Sequence, residues 1–214
     1  MLESFKHASF VLYLMRKILI FCIALFTTVS LTAKTMSESA VSGTPRSIGF
    51  RIGASGFDAT YQHVFRKNQF LQGDFGVDFG YNANGRPGFR ATGVYNFIWA
   101  RPAWTHKGYW GIYSGPGLSL GYVNDMVSYR VGDEVKYTLK DHGANGFMIG
   151  LAVQVGLEYT FEFPLSLAME VRPVFGMHLN SGVEIGGERY GGKVGFYDNG
   201  MVGFVPSLAV RYKF

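Results

Sequence analysis

Nine titratable residues set the chemistry that this chain of 214 residues offers. Asp74 with Asp78, and Glu158 with Glu170, are the carboxylate pairs that general acid–base work would need. Arg51, Arg90, Arg172 and Arg211 carry planar forks of donors that match carboxylates. His178 heads the run His178-Leu179-Asn180-Ser181, an imidazole followed by a hydroxyl. Asp74 and Asp78 stand four residues apart, about 13 Å along a strand, too far to share a proton. Glu158 and Glu170 fall on neighbouring strands, with arginines beside them, so ion pairing is the better reading than proton transfer. A Ser–His pair also needs an orienting acid, and Glu184 and Glu188 are near His178 in sequence only. His63, His106 and His142 are scattered without metal-ligand spacing. No metal and no cofactor is expected. One cysteine excludes a disulfide scaffold.

The elements that must position these groups are strands. The chain holds 29 Gly, 19 Phe, 13 Tyr and 3 Trp, with a net charge of +5. So many aromatics exclude disorder, and so much glycine argues against a helical bundle. The charge is too small and too scattered for a nucleic-acid partner. From Ile48 onward, apolar residues alternate with small or charged ones, the period of a strand with two unlike faces. Phe147, Ile149, Leu151, Val153, Val155, Leu157, Tyr159 and Phe161 line one face of 146–161, and Gly150, Gln154 and Glu158 the other. Strands are expected at 47–54, 57–65, 70–81, 88–102, 109–123, 146–161, 165–179 and 200–214. Residues 47–65 also read as one bent strand.

These segments are longer than ordinary strands, which run about five or six residues, and long enough to cross a bilayer, which takes about 9–11 tilted residues. The fold class expected is all-β: a closed antiparallel transmembrane β-barrel of about eight strands in an up-and-down meander, spanning 47–214. Open edges are forbidden in hydrocarbon, so the sheet must close. The bulky face meets lipid, and the eight charged residues Arg51, Asp74, Asp78, Arg90, Glu158, Glu170, Arg172 and Arg211 point inward. An eight-stranded interior is just wide enough for side chains to fill, so these charges are expected to pair and block flow.

Arg16 and Lys17 precede the apolar run Ile18–Leu31. That is too short to span a membrane and has the pattern of a secretory signal peptide. Residues 1–33 are therefore expected to be a signal peptide, with Met15 as a second candidate start and Ser30 or Ala33 as the cleavage site. A signal anchor is the alternative. Cys22 sits inside the apolar run, which does not suit lipidation. Residues 34–46 read as a flexible periplasmic tether.

Ile48-Gly49-Phe50-Arg51-Ile52-Gly53, Gly88-Phe89-Arg90-Ala91-Thr92-Gly93-Val94-Tyr95, Val155-Gly156-Leu157-Glu158-Tyr159-Thr160-Phe161 and Leu208-Ala209-Val210-Arg211-Tyr212-Lys213-Phe214 together resemble the small eight-stranded outer-membrane barrels of the OmpX/OmpA-like porin family, in its Bacteroidetes form. The resemblance covers about residues 46–214. It implies the outer membrane of a Gram-negative bacterium, with outer-membrane lipid and lipopolysaccharide as surroundings. It also implies that Val210, Tyr212 and Phe214 are contacts for the barrel assembly machinery.

Three functional readings stand beside one another. The first is a non-enzymatic barrel that is mainly structural, with outer loops 124–145 and 180–199 free to meet an extracellular protein. Val127–Val131 and Val135–Leu139 around Gly132-Asp133 read as a hairpin above the membrane. The second is a lipid-modifying enzyme using His178. Lipid A deacylases set a serine two residues from such a histidine, where this chain has Asn180 and places Ser181 at the third. The third is a narrow small-solute channel. A soluble barrel with its apolar face inward is a fourth architecture.

Overall fold

A computed structural model describes residues 45–79, 87–125, 128–131, 134–137, 144–180, 183–185, 188–190, 194–198 and 203–214. The expected signal peptide, and the tether as far as residue 44, lie outside the described residues. In chain order the strands are β1 (Arg46–Gly53), β2 (Gly56–Arg66), β3 (Gln69–Asp78), β4 (Gly88–Ala100), β5 (Tyr109–Asp125), β6 (Ser128–Val131), β7 (Glu134–Tyr137), β8 (Ala144–Thr160), β9 (Leu165–Val171), β10 (Val174–Asn180), β11 (Val183–Ile185), β12 (Glu188–Tyr190), β13 (Val194–Asp198) and β14 (Ser207–Lys213).

Ten of these strands form one sheet in which every pairing is antiparallel. β9 and β10 are two pieces of one stave, as are β13 and β14, so the wall has eight staves. β1 pairs with β2 on one side and β14 on the other, which closes the ring. A line of facing residues from Met169 runs through Leu208, Ile52, Phe57, Val77, Phe89, Tyr122 and Phe147. It returns to the β9–β10 stave at Leu179, ten residues further along. Eight strands with that stagger tilt by roughly 40° to the barrel axis. This is the closed antiparallel meander that the alternation predicts.

The alternation decides which side is which. Phe50 is 71% exposed and its neighbour Arg51 only 7%. The same switch recurs along β3, where every second residue from Phe70 to Asp78 is buried. Burying a large apolar side chain is worth roughly 1.5–3 kcal/mol in water. A water-soluble barrel would therefore turn Phe50, Phe75, Leu151 and Leu208 inward, yet all four lie outside.

Residues 47–65 form two strands, joined at Ala54-Ser55. The turn depends on Gly56, with φ at 152°; a Cβ there would lie 1.9 Å from the Val77 carbonyl oxygen. Both outer loops contain hairpins, β6 with β7 and β11 with β12. Three expectations need correction. The final strand begins at Ser207 rather than 200, because Phe204, Val205 and Pro206 are exposed in succession and the alternation is lost. Val194–Asp198, expected within a loop, pairs with β10 and extends the wall. The expected strand 165–179 is broken at Arg172-Pro173, since proline offers no N–H to a ladder.

The turns at residues 67–68, 101–108 and 161–164 are short and share the barrel end that carries Arg46 and Phe214. Above them runs an aromatic ladder on the outer surface. Trp104 meets Trp110 at 5.4 Å, Trp110 meets Tyr159 at 4.8 Å, and Phe161 follows Tyr159 at 4.8 Å. Aromatic side chains with a polar edge favour a membrane interface.

Candidate functional site

The inward side chains of β1, β2, β3, β8, β9 and β14 meet in the lower lumen because every second residue of each strand points there. Glu170 is the hub. Its carboxylate accepts from Arg211 Nη2, lies 3.2 Å from Arg51 Nε and 3.4 Å from Arg172 Nη2, and accepts from the Tyr113 hydroxyl at 2.8 Å. Arg51 also reaches Asp58 at 2.5 Å, and Arg172 reaches Asp74 at 2.5 Å. Arg211 Nη1 turns to Glu158 at 3.3 Å, which Lys213 Nζ approaches from the rim at 2.9 Å.

The structure therefore joins six of the eight expected interior charges: Arg51, Asp74, Glu158, Glu170, Arg172 and Arg211. Asp78 and Arg90 are also buried, but they pair with each other at 2.5 Å, apart from the hub. Asp74 and Asp78 thus serve different arginines. Glu158 and Glu170 share an arginine rather than a proton. Asp58 and Lys213 belong to the paired set and were absent from the expected one. Their inward parity is readable on β2 and β14, but one bent strand over 47–65 would leave Asp58 without a face.

Amides knit the same layer. Gln72 Nε2 donates to both Asp74 and Glu170, and Gln154 Nε2 donates to Gln72 Oε1 at 3.0 Å. Gln154 Oε1 accepts from Arg172 Nε at 2.8 Å. Gln72, Gln154, Glu170 and Arg211 are all fully buried. A charge out of water is tolerated only when paired and hydrogen-bonded, and here each carboxylate faces at least one cation. With every acid held by arginine or lysine, the layer has the chemistry of a brace across the lumen.

The upper lumen joins an apolar cluster to the Arg90–Asp78 pair. Val123, Met148, Ala152, Val174 and Tyr197 form one buried cluster. His178 lies within this layer, 2% exposed, with its ring 6.1 Å from that of Tyr197. Its Nε2 is 3.1 Å from the Val123 carbonyl oxygen. The imidazole is therefore inside the barrel rather than among lipid headgroups, which corrects the placement that a lipid-modifying role requires. Ser181 lies outside the described residues. Val210, Tyr212 and Phe214 point outward and are each about half exposed. Among the described residues no group of three or more His, Cys, Asp or Glu is arranged to hold a metal ion.

No protein-family model matches the chain, and no curated protein matches it. Among solved structures it is similar to the N-terminal β-barrel domain of Pseudomonas aeruginosa OprF, with a TM-score of 0.46 and 10% identity over 79% of this chain and 96% of that one.

Proposed function

We propose that the chain is an integral outer-membrane β-barrel protein of a Gram-negative envelope, non-enzymatic and closed to flow. One observation carries this reading: a closed barrel whose outward face is apolar on every stave, around an interior of paired charges. Only a lipid surround makes such an arrangement favourable. Residues 1–33 would direct export. The short-turn end, with its aromatic ladder, would face the periplasm, since such barrels keep short turns there. Outer-membrane phospholipid and lipopolysaccharide would cover the belt. Val210, Tyr212 and Phe214, on the outward face of β14, would meet the assembly machinery.

The role is mainly structural, with surface interaction through loops 124–145 and 180–199. The hairpins β6–β7 and β11–β12 support the latter, because hairpin edges present unpaired backbone groups to a partner strand. Deleting 127–139 should abolish capture of an extracellular protein; unchanged capture would assign the loops to shielding alone.

The test of the main reading is gel mobility of the outer-membrane fraction with and without boiling. A closed barrel resists detergent until heated, so two bands are expected. A single band in a soluble periplasmic fraction would overturn the reading.

A further inference from the structure

The charge of the barrel is unevenly placed. Its inner lumen holds Arg51, Arg90, Arg172 and Arg211 against Asp58, Asp74, Asp78 and Glu170, and so is neutral. The segments at the long-loop end, 79–87, 124–145 and 180–199, carry six Lys or Arg and seven Asp or Glu by sequence. The short-turn rim carries Arg46, Arg66, Lys67, Arg101, Lys107 and Lys213 against only Glu158 and Glu162. The excess positive charge of residues 45–214 therefore sits at that rim.

The rim is built to hold cations in place. Arg101 Nη2 donates to the Lys67 carbonyl oxygen at 2.6 Å and lies 3.4 Å from Asn68 Oδ1, tying the β2–β3 turn to the β4–β5 turn. The Lys107 carbonyl accepts from the Thr105 hydroxyl at 2.8 Å and from the Tyr159 hydroxyl at 2.8 Å, which fixes the second turn to the aromatic ladder. Arg66, Lys67 and Lys107 are exposed. Among the described residues neither Arg66 nor Lys107 has an ion-pair partner. Glu158, the inner of the two rim acids, is already taken by Lys213 and Arg211.

We propose that this rim, centred on Arg66, Lys67 and Lys107, is a binding surface for anionic phospholipid headgroups. The inference rests on the membrane reading above. The aromatic ladder favours a lipid over a soluble partner. Trp104, Trp110 and Tyr159 would mark the interfacial depth, and the cations, at the end of β2 and in the turns beyond the strand ends, would stand at the height of phosphates. One cation facing one anionic headgroup gives that lipid on the order of a fivefold advantage over a zwitterionic one.

The tryptophans provide the test, because all three, Trp99, Trp104 and Trp110, stand at this end. The full barrel is reconstituted into phosphatidylcholine vesicles containing a fixed fraction of brominated phosphatidylglycerol or of brominated phosphatidylcholine, and Trp quenching is compared. Brominated phosphatidylglycerol should compete for the first lipid shell roughly fivefold better, with the preference lost in high salt and in R66Q/K67Q/K107Q. The variant's heat-dependent gel shift checks that it folds. Equal quenching by both lipids in the wild type would overturn the headgroup proposal and leave the barrel reading intact. Quenching by neither would remove the barrel from the bilayer and overturn both. Polyglutamate binding to the rim, lost in the triple variant and without lipid preference, would replace the lipid with a soluble acidic partner.

Discussion

Arg211 straddles two carboxylates, placing Nη2 on Glu170 and Nη1 3.3 Å from Glu158. Glu170 in turn serves two further arginines, Arg51 and Arg172. The strands β14, β9 and β1 are thereby tied through one buried carboxylate, and Arg211 carries the tie on to Glu158 of β8. That carboxylate is the one acid shared by all three arginines, each of which has one other, Asp58, Asp74 or Glu158.

Glu170→Gln should accordingly be among the most destabilising single changes in the barrel. Removing one member of a buried ion pair costs about 3–5 kcal/mol, and here several pairs fail together. Urea unfolding of the refolded protein in detergent measures it. A loss under about 1 kcal/mol would mean that the hub does not brace the lumen.

The Arg90–Asp78 pair, which makes no contact with Glu170, should behave differently. Arg90→Met alone leaves a buried carboxylate and should cost about 3–5 kcal/mol, while Arg90→Met with Asp78→Leu should regain most of that. Arg211→Met with Glu170→Leu should regain little, because Glu158 loses Arg211 while Arg51 and Arg172 each lose one of their two carboxylates. Similar recovery in both double variants would show that the two sets of charges are equivalent, contrary to the contacts.

Glycine substitutions should separate close backbone approach from open space. Gly56→Ala forces a Cβ to 1.9 Å from the Val77 carbonyl oxygen and a positive φ on alanine, a strain of about 1–3 kcal/mol before the clash is added. Gly73→Ala meets nothing within 4 Å on the outer surface and should be neutral or stabilising. Refolding yield, read from the heat-dependent gel shift, would distinguish them. Equal yields would contradict the geometry of the first hairpin.

The alternation of residue types made the staves legible, because a strand shows its two faces with a period of two and each face here has its own chemistry. The interior charges followed from the same parity. What escaped were places where the backbone leaves that period. Pro173 and Pro206 interrupt two staves, and the apolar run Val202, Phe204, Pro206, Leu208 mimics a strand that begins only at Ser207. The inward side of His178 followed from that parity, but its depth and its neighbours did not. Whether its ring meets headgroups or the Val123 carbonyl depends on barrel tilt and on Tyr197 from β13, a strand hidden within an expected loop.

Flow through the lumen gives a prediction of its own. Gln72, Gln154, Glu170 and Arg211 fill the lower layer and Met148 and Val123 the upper. Planar bilayers containing the purified barrel should show no discrete conductance steps at moderate voltage. Regular steps would assign the protein to the channel reading.

His178→Gln should leave the lipid A mass spectrum of the host outer membrane unchanged, because the native imidazole faces a backbone carbonyl inside the lumen. A change in acyl-chain number that depends on His178 would restore the enzymatic reading.

The central claim is that the apolar face meets lipid, and one spin label tests it most directly. In a Cys22→Ser background, Leu151→Cys is labelled with a nitroxide and the protein is reconstituted into vesicles; Leu151 is 65% exposed on the outer surface of β8. The account predicts that collisions with dissolved oxygen, which concentrates in hydrocarbon, relax the label strongly, while a water-soluble nickel chelate hardly touches it. Strong relaxation by the nickel chelate would place Leu151 in water and contradict the transmembrane barrel.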